Sequence, residues 1–116
     1  MEVYHGIFAE PSWKDENSSG WQRVQEEFGA NEPEPFKVIY ANYEYECYSG
    51  DADVFWENSD GTYGYVSGGH CSCYGLEDQW EPEIYTAEQL RGQIERANYG
   101  FFARHADLIR STLPND

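Results

Sequence analysis

The clearest pattern in the chain is an alternation of period two from Lys37 to Tyr48. Ile39, Ala41, Tyr43, Tyr45 and Cys47 fall on one side, and Val38, Tyr40, Asn42, Glu44 and Glu46 on the other. This predicts a long strand with one packed face and one largely wet face. Ser49-Gly50-Asp51 reads as a turn, Ala52 to Glu57 as a second strand, and Asn58-Ser59-Asp60-Gly61 has the chemistry of a hairpin turn. Thr62 to Ser67, rich in Tyr and Val, is a third strand. Three consecutive strands with short turns predict an antiparallel meander.

Periodicity near 3.6 flanks this block on both sides. Trp21, Val24 and Phe28 share one helical face, with Ser19 and Gln22 spaced as a capping box and Gly29 placed to end the helix. Asn31-Glu32-Pro33-Glu34-Pro35 excludes helix and predicts an extended connector. Beyond the meander, Thr86 and Gln89 form a second capping box. Ala87, Leu90, Ile94 and Ala97 line the helix that follows, and Gly100 is placed to end it. Phe102, Ala106, Ile109 and Leu113 predict a last helix that stops before Pro114. Residues 1–18 are weakly patterned, with Val3, Ile7 and Phe8 suited to a short strand or turn. The expected fold is α+β: an antiparallel sheet of three strands, or slightly more, with helices packed on one face. A chain of 116 residues makes this a single domain, 1–116.

Charge changes the picture more than composition does. The chain carries 22 acidic and 7 basic residues, for a net charge of −15. Residues 1–36 hold 8 acids and 2 bases, residues 37–85 hold 10 and 1, and residues 86–116 hold 4 of each. The negative charge therefore sits on the first three-quarters of the chain. Such a surface repels nucleic acid and anionic membranes and attracts basic surfaces, many of which exist to bind nucleic acid. Aromatic residues, at 17% of the chain, supply enough buried area for a core and argue against wholesale disorder. No apolar run approaches transmembrane length, and Met1-Glu2-Val3-Tyr4-His5 lacks the pattern of a signal peptide. With three cysteines, an odd number, the expectation is reduced thiols in a cytoplasm.

Candidate chemistry is densest between Gly68 and Glu83. His70, Cys71 and Cys73, with Cys47 or a carboxylate as fourth ligand, have suitable donors for zinc. Only Ser72 separates the two cysteines, however, whereas structural zinc sites use wider spacing, so these are weak ligand candidates and no metal or cofactor is expected. A cysteine nucleophile with His70 as base lacks any orienting or oxyanion motif. Paired carboxylates such as Glu77/Asp78 or Glu81/Glu83 are expected by chance among so many acids. Asp51, Asp53 and Glu57 lack the remaining ligands of a calcium loop. Trp80 and Leu76 are the residues expected to be buried and to anchor this loop, since glycines flank it.

The runs Tyr48-Ser49-Gly50-Asp51-Ala52, Gly69-His70-Cys71-Ser72-Cys73-Tyr74-Gly75-Leu76-Glu77 and Gln79-Trp80-Glu81-Pro82-Glu83 resemble a segment of small phage and prophage proteins. The resemblance covers residues 38–95. It implies a phage or mobile-element setting and no particular activity. The distributed acids are then the better functional candidates: Glu44 and Glu46 on the wet strand face, Asp51, Asp53 and Glu57 on the hairpin, and Glu77, Asp78, Glu81 and Glu83 in the loop. Carboxylates so spaced can imitate the phosphates of a duplex, which lie about 1.7 Å apart along the axis. The ordinary reading of the same acids is solubility. Charge asymmetry and the phage resemblance together favour a non-enzymatic inhibitor. Its expected partner is a basic nucleic-acid-binding host complex, such as a CRISPR effector or restriction system, with no direct binding of nucleic acid. A zinc-binding phage protein is the alternative, and a cysteine-dependent enzyme the least favoured.

Overall fold

In the computed structural model the described residues are 3–9, 20–46, 49–70, 79–98 and 100–113, and the side chains of Tyr45, Glu46, Ser49 and His70 are not among them. The expected meander is present. β2 (Lys37–Glu46), β3 (Ser49–Glu57) and β4 (Tyr63–His70) pair antiparallel in sequence order. Two short strands extend it to five in the order β1-β2-β3-β4-β5. β1 (Tyr4–Gly6) lies parallel to β2, and β5 (Glu83–Tyr85) lies antiparallel to β4. The sheet is therefore mixed and the fold is α+β. β5 begins directly after Pro82, which has no N–H to give to a ladder. Beyond that break the edge of β4 is fastened by a side chain. The Gln79 amide accepts from the Gly69 N–H and donates to the Gly69 carbonyl, both at 2.8 Å, in place of a strand.

The expectation of helices on one face is corrected. The sheet is covered on both. α1 (Trp21–Phe28) and the 3₁₀ turn Ile7–Ala9 pack Trp21, Val24, Phe28 and Phe8 against Ala41, Tyr43, Ala52, Val54, Trp56 and Val66. On the opposite face, α2 (Ala87–Arg96), α3 (Phe101–Arg104) and α4 (Ala106–Thr112) pack Leu90, Ile94, Phe101 and Ile109 against Ile39, Phe55 and Tyr63. The reason lies in the central strand. Val54-Phe55-Trp56 is apolar on both faces, and all three are buried, as in a strand covered from both sides.

A β-bulge corrects the predicted face of Ile39. The register shifts between Val38, which faces Trp56, and Tyr40, which faces Phe55. The inserted residue sends Ile39 to the same side as Tyr40 and returns Val38 to the side of Ala41 and Tyr43. A strict period of two places Ile39 wrongly by one face.

Helix ends follow local chemistry in part. Thr86 and Gln89 make both hydrogen bonds of the capping box. Gly29 is left-handed at φ 67, and the Ala30 N–H reaches back to the Gln25 carbonyl. Ser19 of the first predicted capping box lies outside the described residues; Gly20, at φ 79, precedes α1 without a side-chain cap. α2 ends at Arg96, before Gly100, and Gly100 at φ 86 opens α3. The predicted last helix is broken at His105 (φ −116, ψ 25), so Phe101, not Phe102, is the ring buried in the core. Trp80, expected to be substantially buried, is partly buried and packs against the Trp21 and Trp56 core, and Leu76 lies outside the described residues.

Candidate functional site: an acidic cleft beside the C-terminal helices

The helices on the α2–α4 side cover only part of the sheet. Phe55 and Tyr63 lie beneath them. Tyr40 and Tyr65 pack on Phe101 of α3, and beyond them residues 42–44, 50–51 and 67–69 leave the sheet open. An open cleft of about 850 Å³ results. Tyr40, Asn42, Glu44, Asp51, Asp53, Tyr65 and Ser67 form its floor, and Phe101, Arg104 and His105 its helical wall.

Register explains the clustering. Glu44 stands opposite Asp51, and Asn42 opposite Asp53, which in turn faces Ser67. Directly paired residues of an antiparallel ladder point to the same face. Glu44 and Asp51 are both exposed. Like charges set directly opposite one another weaken a ladder, so this arrangement carries a cost in stability.

Asp53 is tied down more than its neighbours. Its carboxylate accepts a 2.5 Å hydrogen bond from the Tyr65 hydroxyl and lies 3.6 Å from the Arg104 guanidinium. Burial, and then the hydrogen bond to Asp53, push the Tyr65 phenol well above its ordinary pKa. Tyr65 is therefore a fixed donor and not a base. Tyr40 is raised as well, first by burial and then by Asp53 and Glu44. Its ring meets those of His105 at 4.5 Å and His5 at 5.2 Å in tilted contacts. Burial pushes the His105 imidazole below its ordinary pKa. Arg104 adds to this, Asp53 opposes it, and His5 contributes slightly in the lowering direction. The cleft thus combines two free-facing carboxylates, one anchored carboxylate and an aromatic wall that also carries the Arg104 cation. Three carboxylates against one guanidinium leave it net negative, and it offers no activated nucleophile among the described residues.

The predicted site residues do not form one surface. Glu44, Asp51 and Asp53 line the cleft. Glu57 pairs with Tyr63 at the other end of β3, separated from the cleft by the helix-covered Phe55 and Tyr63. Glu83 pairs with Tyr65 on β5 and accepts a 2.5 Å hydrogen bond from Tyr85, whose pKa is pushed up to about 12 by burial and by Glu83. Glu81 is exposed just before β5. Glu77, Asp78, Cys47, Cys71 and Cys73 lie outside the described residues, as do the side chains of Glu46 and His70. Among the described residues no group of three or more His, Cys, Asp or Glu side chains is placed to hold a metal ion. Tyr40, Tyr65, Arg104 and His105 were missed. Alternation already puts Tyr40 on the face of Glu44, but nothing local marks Arg104 and His105 as neighbours of a strand 50 residues away.

No family model, curated protein or solved structure matches the chain. No helix among the described residues is long and apolar enough to cross a membrane.

Proposed function

We propose that the protein is a non-enzymatic, acidic inhibitor of phage type. It presents the Glu44–Asp51–Asp53 face to a basic, nucleic-acid-binding host complex of the defence class, a CRISPR effector or a restriction system. The observation that carries this reading is the cross-strand pair Glu44/Asp51 beside Asp53 on an open half-face. A surface that served solubility alone gains nothing from setting two acids directly opposite each other. A binding surface gains local field, which speeds association with a cationic cleft. The net charge of −15 supports the same reading at longer range.

The test is a salt-resolved pull-down of nucleic-acid-binding proteins from a bacterial lysate, with DNA and RNA as competitors. Capture should weaken steeply as salt rises, since screening limits exposed charges to about 10 Å at 0.1 M ionic strength. The double variant Glu44→Lys/Asp51→Lys should fold and lose capture. Glu95→Lys/Asp107→Lys, on the neutral helical quarter, should keep it. Unchanged capture by the folded Glu44→Lys/Asp51→Lys variant refutes the proposal.

A further inference from the structure

The sheet's other face holds a second, chemically different surface. Gly64 on β4 is where Trp56 lies flat across the sheet: a Cβ added at Gly64 would come within 2.1 Å of the indole. Trp80 stacks on Trp56 at 5.5 Å and 9°, and Trp21 meets both rings edge-on at 5.7 Å. The Trp21 indole N–H donates to the Glu32 carbonyl at 2.9 Å and the Trp56 N–H to Asn58 Oδ1 at 3.1 Å. Their polar atoms are thereby satisfied, and apolar ring surface is left over. These rings form the floor of a groove of about 460 Å³, bounded by the Glu32–Pro35 connector and by Pro82 and Ile84.

Two further observations say what the groove fits. Phe36 and Ile84 are the large apolar residues left exposed among the described ones, at 69% and 54%. Ile84 lines the groove, and Phe36 directly follows Pro35, which also lines it. The connector wall carries Glu32 and Glu34, both exposed and neither ion-paired among the described residues. Apolar walls with an acidic rim complement an extended segment that carries a cation among apolar residues. A trough between two extended stretches with an aromatic floor is also the shape that polyproline-type peptides occupy. A second copy of this chain, at −15, is repelled, and the rim carboxylates repel phosphate.

We infer that the groove formed by Trp21, Trp56, Trp80 and Ile84 docks an extended partner segment carrying Arg or Lys beside proline or apolar residues. This surface is separate from the acidic cleft and does not depend on the function proposed for it.

The experiment pans a library of short random displayed peptides on the intact protein, then titrates the synthetic winner while following tryptophan fluorescence. Three of the four tryptophans line the groove, so occupancy should alter the emission. Selected peptides should share a cation next to proline or apolar residues. Glu32→Lys/Glu34→Lys and Ile84→Ser should each weaken binding about tenfold or more, some 1.4 kcal/mol. Both variants should fold, because Glu32 holds Trp21 and Gln25 through its backbone alone and Ile84 is exposed. Glu44→Lys/Asp51→Lys, on the opposite face, should bind the peptide normally. The inference is overturned by selection of no consensus, by a consensus lacking a cation, or by groove variants that bind as the parent does. Concentration-dependent self-association that Ile84→Ser abolishes would assign the groove to a second copy instead.

Discussion

The two faces of the sheet solve the same burial problem in different ways. On the α1 side the cover is aromatic and almost complete. Trp21, Phe28, Phe8 and Tyr43 interlock with ring centroids 5.2–6.5 Å apart, counting Trp56 and Trp80. On the α2–α4 side the cover is helical and stops short. One half is a core around Phe55, and the other is an open floor of carboxylates and tyrosines. Rings fill volume with few residues, so among the described residues an eight-residue helix and a 3₁₀ turn cover the first face. The second spends three helices on half a face and leaves the remainder polar. A single sheet can therefore display an apolar groove on one side and a charged cleft on the other, because each strand alternates between them.

Substitutions at the shared strands should separate the two faces. Phe55→Ala, at a position with 0% exposure on the helical face, should cost roughly 3–5 kcal/mol of unfolding free energy. Denaturant titration measures it, and a loss below about 1 kcal/mol would mean that the helices carry little of the fold. Gly64→Ala should act on the aromatic face alone. The indole it displaces is held between Trp80 and Trp21, so roughly 3 kcal/mol is expected, the upper end for overpacking. Near-ultraviolet circular dichroism should lose tryptophan signal in the same variant.

Smaller effects sharpen the contrast at the cleft. Tyr65→Phe removes the donor to Asp53 and should cost roughly 1.5–3 kcal/mol, as for a hydrogen bond to a charged group. His105 adds a pH dependence of known sign. Its folded pKa lies below the ordinary 6.5, so the unfolded chain binds the proton more readily. Its contribution is therefore full above pH 6.5 and is lost as pH falls towards the folded value. His105→Gln should flatten that part of the stability–pH curve, and an unchanged slope would remove His105 as its source. The smallest effect has the opposite sign. Glu44→Gln should stabilise the protein by about 0.2–1 kcal/mol, by relieving repulsion from Asp51. If it also weakens partner capture, stability and binding are opposed at this pair.

The sequence alone determined what depends on neighbours in the chain. The period-two block defined the meander, the Thr86–Gln89 box set the start of α2, and Gly29 set the end of α1. Glu44, Asp51 and Asp53 were legible as candidates from their charge and from alternation, but the pairing of Glu44 with Asp51 was not, because Ser49-Gly50-Asp51 reads as a turn and instead opens β3. Tertiary structure decided the rest. Ile39 changed face because a bulge has no local signature in a run of apolar and aromatic residues. β1 and β5, three residues each, are strands only because β2 and β4 offer them edges, and so short a segment has no periodicity of its own. The covering of both faces followed from packing: Val54-Phe55-Trp56 states that both sides need cover, but not which helix supplies it. Arg104 and His105 joined Asp53 and Tyr40 for the same reason. Their positions are set by where α3 lands on the sheet, and that is fixed by Phe101 filling the space beside Phe55 at 5.9 Å and Tyr65 at 4.7 Å. Side-chain volume meeting across long sequence separation is a property of the folded core, not of any stretch of the chain.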